Sequence, residues 1–162
     1  MMSDSWHTYP SVYSLGHRYL TDLLLDPVLV EEKIDGSQIS FGRFDGELRI
    51  RSKGADIQPL APEKMFKPAV DVIRSLDLTP GWTYRGEYLA KPKHNALAYD
   101  RVPRNHLILF DINTEHETYC TWEEKAAEAS RLGLEVVPRL HHGLLDDITQ
   151  FQRFLSFVSV LG

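Results

Sequence analysis

The chain has 162 residues, 43% hydrophobic and 25% charged, which is enough for one soluble domain with a real core and too few for two. Its net charge of −5 argues against a protein that coats nucleic acid through bulk charge, and no apolar run approaches the roughly twenty residues of a membrane span. Cys120 is the only cysteine, which excludes an internal disulfide and fits a reducing cytosol, and the N-terminal MMSDSWHTYPS lacks the basic-then-apolar layout of a secretory leader.

In chain order, residues 15–25 (LGHRYLTDLLL) predict a short helix ended by Asp26-Pro27. Val28 to Glu32 and Gln38 to Phe44 predict strands with Asp35-Gly36 between them, and ELRIRS, Glu47 to Ser52, alternates like a further strand. Pro62 can open a helix carrying Phe66, Ala69, Val70, Ile73 and Leu76 at helical spacing, with Pro68 as an early break or kink. Trp82 to Leu89 is strand-like, and HLILFDI, His106 to Ile112, is apolar on both sides and so predicts a central strand. Thr121 and Glu124 form a capping-box pattern before a helix that ends near Gly133. Glu135 to Leu140 predicts a strand, and Asp147 and Gln150 open a last amphipathic helix with Ile148, Phe151, Phe154, Leu155 and Val158. Strands and helices mix without a strict βαβ rhythm, so the expected class is α+β with mainly antiparallel sheets.

Two Asp-Gly pairs stand close together, in VEEKIDGSQISF and GRFDGELRI. Asp-Gly between alternating apolar residues signals a two-residue turn, because both residues tolerate positive φ. Asp45-Gly46 follows that rule. Two residues before it stands Arg43, which cannot lose its proton at any useful pH; the equivalent residue of the first pair is Lys33, which can. A free lysine amine has a pKa of about 10.4, so about four in ten thousand are neutral at pH 7. Its sequence neighbours Glu31, Glu32 and Asp35 oppose deprotonation, so an activated Lys33 needs a counterweight from a metal ion or from other basic residues. Basic residues do cluster, as Arg43, Arg49, Arg51 and Lys53 and as Lys91, Lys93, His94, Arg101 and Arg104; these read either as solvated faces or as a phosphate surface. The histidines show no metal-ligand spacing; Cys120 could in principle be a thiol nucleophile, but its place in TYCTW before a helix start favours a structural role.

EKIDG resembles the KxDG signature of the covalent nucleotidyltransferase superfamily of ligases and capping enzymes. RSKG (Arg51 to Gly54), Gly86-Glu87 in YRGEYL, and Phe110-Asp111 in LILFDI are similar to later motifs of that superfamily in the expected order. Gln38, two residues beyond the glycine, and the stretch KPKHNALAYDRVPRNHLILFD resemble ATP-dependent RNA ligases of the phage nick-sealing type. The resemblance implies that Lys33 attacks the α-phosphate of ATP to give a lysyl-AMP. AMP then passes to a 5′-phosphate, and a 3′-hydroxyl seals the strand. It implies that Glu32 or Glu31 reads the adenine amino group, Phe110 stacks on the base, and Arg51 and Lys53 contact ribose or phosphates. Glu87 would bind the ribose or help hold Mg²⁺ (or Mn²⁺). Lys91, Lys93 and His94 would meet the phosphates of RNA or of nicked duplex ends. Asp35 is expected to shape the turn that presents Lys33.

The superfamily's last two motifs, a glutamate-glycine before a strand and two lysines separated by one residue, do not occur after Ile112. Residues 1–162 are therefore expected to be the N-terminal part of a single adenylation domain. Such a chain would be weakly active or inactive alone, with exposed sheet edges that invite a complementing C-terminal chain or self-association. A non-catalytic nucleotide- or nucleic-acid-binding module, or a DNA ligase or capping-type enzyme, are the competing expectations.

Overall fold

The computed structural model describes residues 5–162; Met1 to Asp4, the start of the stretch read above for a leader, lie outside the described residues. The strands are β1 (Val28–Glu31), β2 (Ser37–Phe44), β3 (Glu47–Ser52), β4 (Asp56–Ile57), β5 (Thr83–Tyr88), β6 (Leu107–Asn113), β7 (Glu135–Val136) and β8 (Arg139–Gly143). The α-helices are α1 (Lys67–Ser75) and α2 (Trp122–Leu132). A six-stranded sheet runs β4-β3-β2-β5-β6-β7, antiparallel except for the β6–β7 pair, and β1 and β8 form a separate antiparallel ribbon. This is the α+β, mainly antiparallel architecture expected from the sequence.

Period-two alternation sorts the large sheet into two faces. Ile39 and Phe41 of β2, Tyr84 and Tyr88 of β5 and Leu107 and Leu109 of β6 pack against Ala69, Val70 and Ile73 of α1 and Ala129 and Leu132 of α2. On the other face Ile108 meets Ile34, Leu89, Val137 and Leu161. The run HLILFDI is therefore apolar on both sides because β6 is buried on both sides. Pro68 does not break α1: it sits in the first turn, where its missing N–H has no intrahelical partner to lose, after a 3₁₀ turn at Lys64–Phe66. The Thr121–Glu124 capping box forms, and Gly133 ends α2 with φ 71°.

Three expectations are corrected. Residues 15–25 hold only a 3₁₀ turn, Arg18–Leu20, inside a series of turns, with no buried side chain to stabilise a helix by packing. Glu135 to Leu140 is not one strand: β7 and β8 flank Val137-Pro138 and belong to different sheets, a break where proline has no N–H to give a ladder. The last helix is a 3₁₀ segment, Ile148–Ser156, N-capped by Asp147. Among the described residues no helix is long and apolar enough to cross a membrane.

Candidate active site

The two Asp-Gly pairs adopt different structures. Asp45 (φ 52°) and Gly46 (φ 82°) turn β2 directly into β3, the two-residue hairpin that the sequence predicts. Asp35 and Gly36 do not join paired strands: β1 pairs with β8, β2 lies between β3 and β5, and neither residue has positive φ. Instead Asp35 accepts the N–H groups of Ala96 and Leu97, both at 2.9 Å, while its own N–H donates to Tyr99 Oη at 2.8 Å. Those hydrogen bonds hold the Asp35 carboxyl below the usual carboxylate range. Gly36 lies flat on β5: a Cβ there would stand 2.5 Å from the Tyr88 carbonyl oxygen. Its N–H donates to Glu87 Oε1 at 3.0 Å.

This close approach puts Lys33, Gly36 and Glu87 on the wall of one open cavity of about 950 Å³, within the size range of small-molecule sites. Glu31, Glu32, Lys53 and Phe110 also line it. Lys33 is exposed at the cavity wall and its charge acts on both Asp35 and Glu87. Burial pushes the Glu87 carboxyl up to about 7, against the opposing pull of the Gly36 N–H and Lys33. The second Glu87 oxygen makes no hydrogen bond among the described residues. One half-buried carboxylate facing an open cavity suits Mg²⁺ or Mn²⁺, which take one or two protein carboxylates and complete their shell with water and phosphate. Among the described residues no group of three or more acids, histidines or cysteines forms an all-protein metal cage.

The two glutamates before Lys33 have diverged. Glu31 points to α2, where Lys125 Nζ lies 2.5 Å from Oε2 and also donates to the Phe110 carbonyl at 2.8 Å. Burial raises the proton affinity of Glu31, and Lys125 offsets part of that rise. Glu32 is buried; its backbone N–H reaches the Pro138 carbonyl at 3.3 Å, and its Oε2 accepts the Val160 N–H at 3.0 Å.

Phe110 owes its aim to a bulge. The β5–β6 register runs Arg85↔Asp111 and then Gly86↔Leu109, so Phe110 is the extra residue. The bulge resets the alternation, returning Ile112 to the helix-side core with Leu107 and Leu109. It lets the neighbours Phe110 and Asp111 both reach Tyr9: the two rings pack edge to face at 5.1 Å, and Tyr9 Oη donates to Asp111 Oδ2 at 2.7 Å. Beside Tyr9, Arg85 is fully buried. It donates to Asn113 Oδ1 at 3.0 Å and Ser40 Oγ at 2.9 Å and lies over the Tyr9 ring. Desolvation lowers its pKa to about 10.

Arg51 is on β3 but is not among the residues lining the cavity; its Nε donates to the Ser52 carbonyl at 3.4 Å. Lys91 and Lys93 are exposed on the loop after β5. His94 folds back: Nδ1 accepts the Ala90 N–H at 3.0 Å, which leaves Nε2 to donate to Ser37 Oγ at 2.8 Å. Arg101 is taken by Glu135, with two contacts at 2.8 and 2.9 Å. Cys120 is buried and its thiol is pushed up to about 11, so it carries no thiolate chemistry near neutral pH. Sequence reasoning missed Tyr9, Arg85 and Lys125. No local pattern marks Tyr9 or Arg85, which shares its strand phase with Thr83 and Glu87; Lys125 stands at the helical phase of Ala129 and Leu132, the signal a burial-aware reading could use.

The RNA ligase family model matches residues 26–158, and the chain belongs to that family. No curated protein matches it. Its fold is similar to that of a putative ATP-dependent DNA ligase from Aquifex aeolicus (TM-score 0.55, 19% identity, 80% of this chain and 36% of that one). It is also similar to a Naegleria gruberi RNA ligase with PPi (TM-score 0.59, 16% identity, 91% of this chain and 48% of that one). A mutant of the Naegleria gruberi RNA ligase with ATP and Mn gives a TM-score of 0.57 at 16% identity, with the same shares of the two chains. The chain thus spans less than half the length of each of these structures.

Proposed function

We propose that this chain is the nucleotide-binding part of an ATP-dependent RNA ligase whose nucleophile is Lys33. The observation that carries the reading is convergence: Lys33, Lys53, Glu87 and Phe110, spread over 78 positions of sequence, line one cavity. The neutral Lys33 amine attacks the α-phosphorus of ATP. An N–P bond forms, the bridging P–O bond breaks, pyrophosphate leaves with the electron pair, and the amine proton passes to solvent. A 5′-phosphate oxygen of an RNA or nicked-duplex end then displaces the lysine, and the 3′-hydroxyl of the other end displaces AMP.

Within this scheme Phe110, held edge-on by Tyr9, stacks on the adenine. Glu32 reads its amino group and is oriented by the Val160 N–H. Glu31 is the weaker candidate for that role because Lys125 occupies one of its oxygens. Lys53 meets phosphate, and Arg51 serves from the edge. Lys91 and Lys93 meet the strand, while His94 supports Ser37 at the cavity wall. Glu87 holds Mg²⁺ or Mn²⁺, which neutralises phosphate charge when bound. The lone buried thiol fits work in the cytoplasm.

The chain carries neither later motif of the superfamily, so labelling of this chain alone is expected to be slow or absent. The test is incubation with ATP and Mg²⁺ and detection of covalent AMP by mass spectrometry, in this chain and in a fusion that adds a relative's glutamate-glycine strand and lysine pair. AMP on Lys33 in the fusion, lost in Lys33→Ala, is the expected result. A fusion that binds ATP yet never gains AMP, or a label that survives Lys33→Ala, overturns the reading.

A further inference from the structure

The segment that leads into the cavity carries aromatic side chains the core does not use. Tyr13 stacks on His17 with ring centroids 4.5 Å apart and planes 23° from parallel. Tyr19 meets both rings, at 5.5 Å from Tyr13 and 5.0 Å from His17. The Arg18 guanidinium lies over Tyr19, 4.9 Å from its centroid, and donates to its hydroxyl at 3.1 Å. A backbone turn holds the group together: Gly16 takes φ 90°, and the Tyr19 N–H donates to His17 Nδ1 at 3.2 Å. Yet Tyr13 remains 47% and Tyr19 62% exposed. These rings are ordered by one another, not by burial. Apolar burial therefore does not account for them, and ordered aromatic surface left in water is characteristic of a recognition surface.

Place and charge narrow the partner. Tyr13 follows Val12, a residue of the same cavity wall as Lys33, and successive Cα atoms are about 3.8 Å apart, so the cluster begins one residue from that wall. Aromatic faces interleaved with a cation match unpaired nucleotides, in which bases stack on rings and phosphates meet guanidinium. We propose that Tyr13, His17 and Tyr19, with Arg18, form a stacking platform for the unpaired nucleotides of the RNA strand whose end enters the cavity. The proposal deepens the ligase reading by naming where the strand lies, and it is measured without ATP.

The experiment is fluorescence anisotropy with a 5′-labelled single-stranded RNA of about ten nucleotides, a length within single-strand site sizes. A matched abasic strand serves as the second probe. The Tyr13→Ala/Tyr19→Ala double variant should bind the RNA about 10-fold or more weakly and the abasic strand as the wild type does. Tyr13→Phe/Tyr19→Phe, which keeps the rings, should restore RNA binding, and Arg18→Ala should weaken both probes. Unchanged RNA affinity in the double Ala variant overturns the platform, as does a wild type that binds no RNA. Self-association lost in the Ala variant while RNA binding persists assigns the surface to a second copy and also overturns it. Because covalent AMP formation is scored separately, failure of the platform and failure of the lysine chemistry are told apart.

Discussion

The same dipeptide makes two unlike structures ten residues apart. At Asp45-Gly46 glycine is needed for its backbone angle: φ is 82° and a Cβ would meet nothing within 4 Å. At Asp35-Gly36 glycine is needed for its size: its φ is not positive, but a Cβ would be driven into the Tyr88 carbonyl and Leu89 Cδ1 at 2.8 Å. Asp45 serves a hairpin, whereas Asp35 and the Gly36 carbonyl tie the Asn95–Leu97 loop to the cavity wall. A motif is thus distinguished from its look-alike by what the backbone approaches, not by its letters.

The largest expected effect concerns the residues two places before each pair. Lys33→Ala should remove all covalent AMP from the fusion proposed above, while Arg43→Ala leaves labelling intact; mass spectrometry decides. Next come the glycines. Gly36→Ala should cost about 3 kcal/mol by overpacking against backbone, and Gly46→Ala about 1 kcal/mol from left-handed strain alone. Urea midpoints at constant slope measure both. Equal losses would erase the distinction drawn here.

Glu87, which accepts the Gly36 N–H, gives a pH signature. Its folded pKa is raised from 4.5 to about 7, so the native state holds the extra proton between those values. Stability therefore falls as pH rises from about 4.5 to 7 and is level above, by about 2 kcal/mol after allowing for its partial exposure. Glu87→Gln should flatten that slope in thermal melts taken across the range. For Asp35 the sign is opposite. Its folded pKa is lowered, so its contribution is full above the unfolded value and is lost as pH falls through the folded one. Asp35→Ala should remove an acid-side decline of under about 1 kcal/mol, because the carboxylate is solvent-screened. An acid-side decline that survives Asp35→Ala would break the comparison.

Much of this was legible in the sequence. The strands β2, β3, β5 and β6 and the helix α2 announce themselves through period-two runs and a capping box, and KxDG, Gly-Glu and Phe-Asp mark the cavity wall. What was hidden depends on three dimensions. LGHRYLTDLLL has helix-favouring leucines, but no apolar surface waits for them, and turns win. Phe110 and Asp111 are adjacent, so strict alternation places them on opposite faces; only the bulge lets both reach Tyr9. Lys125 reads as a surface lysine until α2 is seen to press it against Glu31. The partner that pairs with β1 is β8, 111 positions from Val28 to Arg139, a separation no local pattern reports.

The ribbon formed by β1 and β8 has its own consequence. It is a two-stranded unit, marginal by itself, and Lys33 follows its first strand while Glu87 and Phe110 belong to the six-stranded sheet. Its ties to that larger body near Lys33 are made by side chains and by the chain itself: the Lys125–Glu31 and Arg139–Glu123 contacts, Arg139 over the Trp122 ring, the Glu32–Val160 bond and the passage through Val137-Pro138. Amide protons of Val28 to Glu31 should therefore exchange with deuterium ahead of those of β5, a lighter jaw breathing against a fixed one. On that expectation the amine at position 33 follows the part that opens first, and its reach across the cavity would change without melting the core.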